Sequence, residues 1–162
     1  MRTVVRHGLA TIIDTTIAKQ KSFLYSIYGV FADRATLYIG QTIGKTGALG
    51  RLAQHLSDAH GNTYCQRLSH LFHYEEVELE RTDLVAVRFA NERIFEIDSP
   101  VYREAVEDLV QRILINWVTE QELAICIVSR TRPNSYNKLE NIQKEASRIS
   151  KVLEPWILEC HQ

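Results

Sequence analysis

The stretch from Ser26 to His55 reads S-I-Y-G-V-F-A-D-R-A-T-L-Y-I-G-Q-T-I-G-K-T-G-A-L-G-R-L-A-Q-H, and it decides the fold of the chain. Two short apolar runs, 27–31 and 37–40, each contain a tyrosine. Apolar runs on either side of a short, more polar segment predict two strands joined by a tight turn. Such a hairpin can bring the rings of Tyr28 and Tyr38 together at one end of a sheet, provided that the register of the strands allows it.

A helix with basic side chains is predicted directly after the hairpin. Apolar residues recur at helical spacing from residue 49 to residue 56, which predicts a helix over 49–57. Arg51 and His55 are one turn apart and so share a face of it. A phenol can orient or deprotonate water, and a guanidinium can stabilise the charge on a phosphorane-like transition state. This set of groups suits phosphodiester chemistry.

These residues resemble the GIY-YIG nuclease superfamily. Ser26-Ile27-Tyr28 stands where the family has G-I-Y, with serine in place of the first glycine, and Tyr38-Ile39-Gly40 matches Y-I-G letter for letter. Arg51 and His55 resemble the family's R-x-x-x-H helix. Tyr25 is a competing candidate for the first tyrosine. Tyr28 is preferred because the interval from Tyr25 to Tyr38 is longer than a tight hairpin needs.

The resemblance extends from about Phe23 to Trp117 and implies an α+β fold, with a small antiparallel sheet flanked by helices. It divides the chain into an N-terminal extension (1–22), a GIY-YIG-like nuclease core (23–118) and a C-terminal strand and helix that pack on or extend the core (119–162). The residue patterns predict the remaining elements: a helix at 62–72, strands at 77–80, 84–89 and 123–128, and a helix at 137–158 interrupted at Pro155.

The family also uses a metal-binding glutamate on a later helix. Ser99 as N-cap and Pro100 at the first helical position predict a helix that runs to about Trp117. Glu107 falls at the border of its apolar stripe, whereas Glu104 falls nearly opposite the stripe. A catalytic carboxylate belongs at such a border, so Glu107 is the predicted ligand of Mg²⁺ or Mn²⁺.

The resemblance suggests accessory residues as well. An asparagine beyond the glutamate helix completes the site in many relatives, and Asn116, Asn134 and Asn137 are all candidates here. Lys45 follows the second tyrosine, and a nearby ammonium could lower the pKa of a phenol. The histidines at 55, 60, 70 and 73 do not predict zinc, because the additional ligands are not at zinc-like spacing.

Composition bounds the class of protein. The chain has 162 residues and 45% hydrophobic content, enough for a single globular domain. No apolar run reaches membrane-spanning length, and residues 1–7 lack the features of a secretory signal. Three cysteines without C-x-x-C spacing favour reduced thiols. We therefore expect a cytoplasmic protein with no membrane partner.

The net charge of −1 argues against a nucleic-acid partner, but the charge is unevenly distributed. Basic residues are frequent between Arg130 and Lys151, so a local groove could be positive, with Lys144 and Arg148 as DNA contacts. The competing interpretation is a homodimer formed through the C-terminal helix. Its apolar stripe would be the contact: Ile142, Ala146, Ile149 and Leu153.

The sequence thus predicts a metal-dependent DNA endonuclease. In the roles implied by the resemblance, Tyr28 takes the proton of the attacking water, Tyr38 orients that water or the phosphate, and Arg51 stabilises the transition state. His55 assists by hydrogen bonding, and Glu107 holds the metal ion. A stand-alone restriction-type or phage-associated enzyme is preferred to a repair subunit. The alternative is a catalytically silent domain that binds nucleic acid or a protein.

Overall fold

The computed structural model describes residues 23–31, 33–42, 47–55, 63–73, 82–90, 99–130 and 132–162. The fold is α+β. Its elements in chain order are β1 (Phe23–Phe31), β2 (Arg34–Thr42), α1 (Gly47–His55), α2 (Thr63–Phe72), β3 (Thr82–Ala90), α3 (Pro100–Glu120), β4 (Ile125–Ile127), a 3₁₀ helix (Ser135–Lys138) and α4 (Glu140–His161). The expectations for 1–22, for Lys45 and for a strand at 77–80 lie outside the described residues.

The predicted hairpin is present, with longer strands than the apolar runs suggested. β1 and β2 pair in antiparallel register from Phe23 opposite Thr42 to Phe31 opposite Arg34, so only two residues connect them. Asp33 in this turn has a φ of 60°. Asp tolerates this left-handed conformation, and the tightest hairpin turns require it.

The sheet has four strands in the order β3-β1-β2-β4. β3 adds to β1 in antiparallel register, but β4 runs parallel to β2, where Ala35 lies opposite Ile125. The sheet is therefore mixed: the predicted antiparallel arrangement holds for β1, β2 and β3, and is wrong for β4. The prediction did not give the strand at 123–128 a place in the sheet, and that strand enters it as β4 in the direction of β2.

Two cores cover the two faces of the sheet. On one face, Leu24, Tyr28 and Leu37 pack against α3 and α4. On the other face, Tyr25, Ile27 and Tyr38 belong to a cluster with residues of α2. The alternation of side chains along β1 and β2 supplies both cores from the same two strands. The functional groups that the sequence singled out are consequently divided between two sides of the sheet.

α3 begins where the sequence predicted. Ser99 has the extended conformation of an N-cap residue and Pro100 is the first helical residue. The helix continues to Glu120, one turn beyond the predicted end. It packs mainly against α4, and Val106, Val110 and Leu114 are fully buried.

α4 differs from prediction in two respects. It runs through Pro155 without interruption, and Trp156 and Ile157 just beyond the proline are buried. Proline costs the helix one hydrogen bond, and the packing of these two side chains offsets that loss. The apolar stripe expected to contact a second subunit is at most 1% exposed and packs inside this chain: Ile142, Ala146, Ile149 and Leu153. The prediction of a homodimer through this apolar stripe is wrong, because the stripe is already buried against the rest of the same chain.

Among the described residues, no helix combines the length and the apolar character needed to cross a membrane.

Candidate active site

The hairpin register decides which tyrosine joins Tyr38. When two residues form the loop of a hairpin, the numbers of paired residues differ by an odd number, as for Ile27 and Tyr38. Residues ten positions apart then lie on opposite faces, and residues thirteen apart lie on the same face. Tyr25 is thirteen positions before Tyr38, and the centroids of their rings are 6.1 Å apart. The prediction that Tyr28 approaches Tyr38 is therefore wrong, and Tyr25 takes that place.

Tyr28 has a different environment on the far face. Its hydroxyl is hydrogen-bonded to Nδ1 of His161 at 2.8 Å, and its ring is 2% exposed within the core formed with α3 and α4. Burial raises the pKa of Tyr28, and a nearby Cys160 adds to this effect. Tyr28 is thus a core residue that connects β1 with the last turn of α4.

The hydroxyl of Tyr25 is the centre of a buried polar network. Nε of Arg51 donates to it at 3.2 Å, and Nε2 of His55 lies 2.6 Å from it. The predicted helix therefore delivers both of its polar residues to one oxygen, because they are one turn apart on α1. Arg51 also donates to Gln54 and, through Nη2 at 2.7 Å, to the hydroxyl of Thr63 at the start of α2.

The hydrogen bonds of His55 assign its tautomer. The backbone N–H of Tyr64 donates to Nδ1 of His55 at 3.2 Å, so Nδ1 is unprotonated and Nε2 carries the proton. Burial, with a smaller contribution from the charge of Arg51, lowers the pKa of His55 to about 4. His55 is neutral at pH 7 and donates to Tyr25. It cannot act as a base toward that phenol.

Tyr25 is itself held in the protonated form. Burial raises its pKa, the proximity of Tyr38 adds to this, and Arg51 opposes it. Hydrogen bonding with Tyr38 also raises the pKa of Tyr25, which is the effect expected for a phenol that donates its proton. The chain of donors therefore runs from Arg51 and His55 through Tyr25 to the oxygen of Tyr38, which is 3.5 Å from the hydroxyl of Thr63.

For Arg51, burial alone would lower the pKa, but its interactions with Tyr25 and Tyr38 outweigh burial and raise it. The guanidinium stays charged next to both phenols.

Gly40 provides the space in which Tyr25 lies. A Cβ atom at this position would stand 2.6 Å from the hydroxyl oxygen of Tyr25 and 2.8 Å from the ring of Tyr38. Both distances are shorter than packed atoms allow. The glycine of the Y-I-G sequence is thus required because the two tyrosine rings lie directly over it.

We predict that Gly40→Ala destabilises the protein by about 1–3 kcal/mol, the usual cost of overpacking a filled core. Both rings are buried and aromatic, so they cannot fold away as a flexible side chain could. The free energy of unfolding from urea denaturation measures the effect. An unchanged unfolding midpoint would show that the rings shift aside and that Gly40 is not under steric constraint.

A cleft of about 320 Å³ opens at the edge of β2. β4 pairs with β2 only as far as Leu37, so the edge beyond it has no neighbouring strand among the described residues. The hydroxyl of Ser129 instead accepts from the N–H of Ile39 and donates to its carbonyl oxygen. Because the edge is open, residues from both faces of the sheet reach the same cleft: Tyr38, Ile39, Gln41, Arg67, Glu104, Glu107, Asp108, Gln111, Arg130, Arg132, Pro133 and Asn134.

Glu107 is half-buried in this cleft, whereas Glu104 is exposed at its border. Burial raises the pKa of Glu107 to about 7. A hydrogen bond from Gln41 and the charge of Arg132 lower it, while Glu104 and Asp108 raise it. The structure thus brings Tyr38 and Glu107 to one cleft, although α3 and α1 lie on opposite faces of the sheet.

Glu107 should make the metal-free protein less stable as the pH rises. Its pKa of about 7 in the folded protein exceeds the ordinary value of 4.5, so the folded state binds the proton more tightly. The stabilisation is complete below pH 4.5 and is lost as the pH rises through 7. His55 has the opposite effect on stability, because its pKa is lowered on folding: its contribution rises as the pH rises from about 4 to 6.5. Between pH 6.5 and 8 that contribution no longer changes, so the effect of Glu107 can be seen without that of His55.

The expected result is a thermal unfolding midpoint in EDTA that falls between pH 6.5 and pH 8, with a flatter dependence in Glu107→Gln. An equal slope in the variant and the wild type would assign the dependence to another group.

The oxygen atoms around Glu107 fit a small hard cation. Nε2 of Gln111 donates to Oε1 of Glu107 at 3.3 Å, and Gln41 also hydrogen-bonds to this carboxylate. The Oε1 atoms of Gln41 and Gln111 are buried, and within the described ranges neither has a hydrogen-bond partner. Carboxylate and amide oxygens are the ligands that Mg²⁺ prefers, and it keeps several waters besides one or two protein ligands.

A zinc site would need several His, Cys, Asp or Glu side chains close together. The described part of the chain contains no group of three or more His, Cys, Asp or Glu side chains that could hold a metal.

The three asparagines have separate environments. Asn134 lines the cleft, and its side-chain oxygen accepts from the N–H of Tyr136 at 3.0 Å. Asn137 hydrogen-bonds to the buried carboxylate of Asp108, which also accepts from Arg112 at 3.0 Å. Asn116 is exposed on α3 and does not line the cleft. Of the candidates, Asn134 is the one placed at the cleft.

Lys144 and Arg148 lie on the exposed face of α4, outside the cleft. Lys144 pairs with Glu140 at 2.6 Å and Arg148 with Glu145 at 2.7 Å. Each charge is therefore matched by an acid on the same helix.

The sequence prefers Tyr28 to Tyr25 and carries no local signal for Gln41, Gln111 or Ser129. The odd number of positions between Tyr25 and Tyr38 is the sequence signal that identifies Tyr25. Only the tertiary structure identifies the others, since they are defined by the open edge of β2.

Comparison with known proteins gave no relative: no protein-family model, no curated protein and no solved structure matches the chain.

Proposed function

We propose that this protein is a metal-dependent DNA endonuclease of the GIY-YIG type. The observation that carries the proposal is the convergence of Tyr25, Arg51 and His55 behind Tyr38, which opens into the same cleft as Glu107. Packing alone does not require a half-buried guanidinium and a buried, neutral imidazole to donate to one phenol. A phenol supported in this way beside a carboxylate suits hydrolysis of a phosphodiester.

In this proposal Tyr38 is the residue that meets the reacting groups. It lines the cleft, whereas Tyr25 is 2% exposed and does not. Tyr38 orients the attacking water, or in its phenolate form takes the proton of that water, and the phenol of Tyr25 donates a hydrogen bond that stabilises the Tyr38 phenolate. Tyr25 and His55 are thus positioning residues. In this proposal Tyr38, and not Tyr28 as predicted from the sequence, acts on the attacking water.

Arg51 supplies fixed positive charge next to both phenols. Its hydrogen bonds to Tyr25 and Thr63 hold the guanidinium in one orientation, so little reorganisation is needed when charge develops.

Glu107, with the amide oxygens of Gln41 and Gln111, would hold Mg²⁺ or Mn²⁺. When bound, the ion would neutralise charge on the phosphate and on the leaving oxygen. A carboxylate with a pKa of about 7 must lose its proton before it binds a cation, so ion affinity rises with pH through this value.

Incubation of supercoiled plasmid DNA with the protein and Mg²⁺ or Mn²⁺ tests the proposal, with EDTA as the control. We expect nicked or linear DNA in the presence of either ion and none in EDTA. The Arg51→Ala variant should lose this activity because both phenols lose their charged partner. An intact plasmid under all ion conditions would favour the catalytically silent binding domain.

We place the protein in the cytoplasm. The support is that none of the three cysteines, at positions 65, 126 and 160, takes part in a disulfide, which is the state expected in a reducing compartment.

A further inference from the structure

Three arginines meet at the mouth of the cleft although they come from distant parts of the chain. Arg67 is on α2, and Arg130 and Arg132 lie in the segment between β4 and the 3₁₀ helix. The hydroxyl of Ser129 holds the start of this segment against the edge of β2. The fold thus fixes these positive charges beside Tyr38 and Glu107.

Unlike the charges on α4, these three charges have no direct ion pair among the described residues, although Glu104, Glu107 and Asp108 line the same cleft. Within the described ranges, no ion pair or hydrogen bond joins Arg67, Arg130 or Arg132 to another side chain. The buried carboxylate of Asp108 in the same cleft already accepts from Arg112 and Asn137.

The arginines also act on one another. Burial lowers the pKa of Arg67, and the charges of Arg130 and Arg132 lower it further. Like charges held close together repel one another, and a phosphate bound between the arginines would relieve that repulsion.

We infer that Arg67, Arg130 and Arg132 bind backbone phosphates of DNA next to the bond that is cut. The inference rests on the proposed function for its choice of ligand. Guanidinium groups match phosphate oxygens in geometry, and each contact releases counterions from the DNA. The contact surface is then the loop after β4 together with α2, and not the exposed face of α4 that the sequence suggested.

Fluorescence anisotropy with a labelled DNA duplex tests the inference in EDTA, where no cleavage occurs. The Arg130→Ala/Arg132→Ala double variant should bind more weakly. Its plot of log affinity against log salt should lose about 0.9 in slope for each phosphate contact, and so about 1.8 in total. Arg67→Ala should lose about 0.9.

The matched control is Lys144→Ala/Arg148→Ala, which removes the same net charge from exposed positions outside the cleft. We expect it to keep the slope of the wild type. The inference is overturned if the arginine variants keep that slope, if the control loses as much as they do, or if the wild-type protein does not bind the duplex. Circular dichroism confirms that each variant is folded.

The plasmid assay separates this inference from the proposed function. DNA binding with the expected slopes but without cleavage would support the phosphate site and overturn the nuclease. Metal-dependent cleavage with unchanged slopes would support the nuclease and overturn the phosphate site.

Discussion

Tyr38→Phe should reduce DNA cleavage by about 10²–10⁴-fold, the usual contribution of a group that transfers or directs a proton. The substitution removes the hydroxyl that lines the cleft and accepts the hydrogen bond of Tyr25, while the ring that packs in the core remains. Initial rates of plasmid nicking measure the effect, and DNA affinity in EDTA should stay close to that of the wild type.

Tyr28→Phe is the matched control, because it removes the same atom from the opposite face of the sheet. It should break the hydrogen bond to His161 and lower stability slightly, with the cleavage rate unchanged. Tyr25→Phe should fall between the two, since it interrupts the support of Tyr38 without removing the cleft hydroxyl. Loss of activity in Tyr28→Phe with retention in Tyr38→Phe would place the site on the other face.

Glu107→Gln should abolish metal-dependent cleavage, with a loss of about 10³-fold or more, because the bound ion contributes several kcal/mol to the transition state. The amide keeps the shape of the side chain and removes the charge that binds the cation. Isothermal titration with Mn²⁺ should show weaker binding in the same variant.

Glu104→Gln removes the same charge one turn earlier on α3, at the exposed border of the cleft. We expect it to retain most of the activity and of the ion affinity. Activity that depended on Glu104 and not on Glu107 would move the metal ligand to the outer position.

Local patterns predicted most of the secondary structure. The hairpin, the helix that carries Arg51 and His55, and the start of α3 at Ser99 and Pro100 are where short-range rules put them. Those rules depend on helical periodicity, capping and alternation, which act over a few residues. The uninterrupted course of α4 through Pro155 was not predictable in this way, because tertiary packing outweighs a local preference there.

The choice of tyrosine failed for a reason that was available in principle. Hairpin length favours Tyr28, but a strand alternates its side chains, so whether the interval is odd or even decides the face. With a two-residue loop, the interval to Tyr38 favours Tyr25 over Tyr28.

The cleft itself could not be predicted from local sequence. It exists because β4 ends after Ile127 and leaves the edge of β2 open, so that side chains from two faces and from a distant loop meet. Gln41, Gln111 and Ser129 gain their significance only from that edge, and no periodicity marks them.

The hydrogen bond between Tyr28 and His161 joins residues separated by 133 positions. At a synthesis rate of about 5–20 residues per second, α4 leaves the ribosome some seconds to tens of seconds after β1. Until then the face of the sheet that α4 covers is apolar and bare. A nascent chain with such an exposed apolar face is of the kind that chaperones bind. The core formed by β1, α3 and α4 is therefore completed only after α4 has been released.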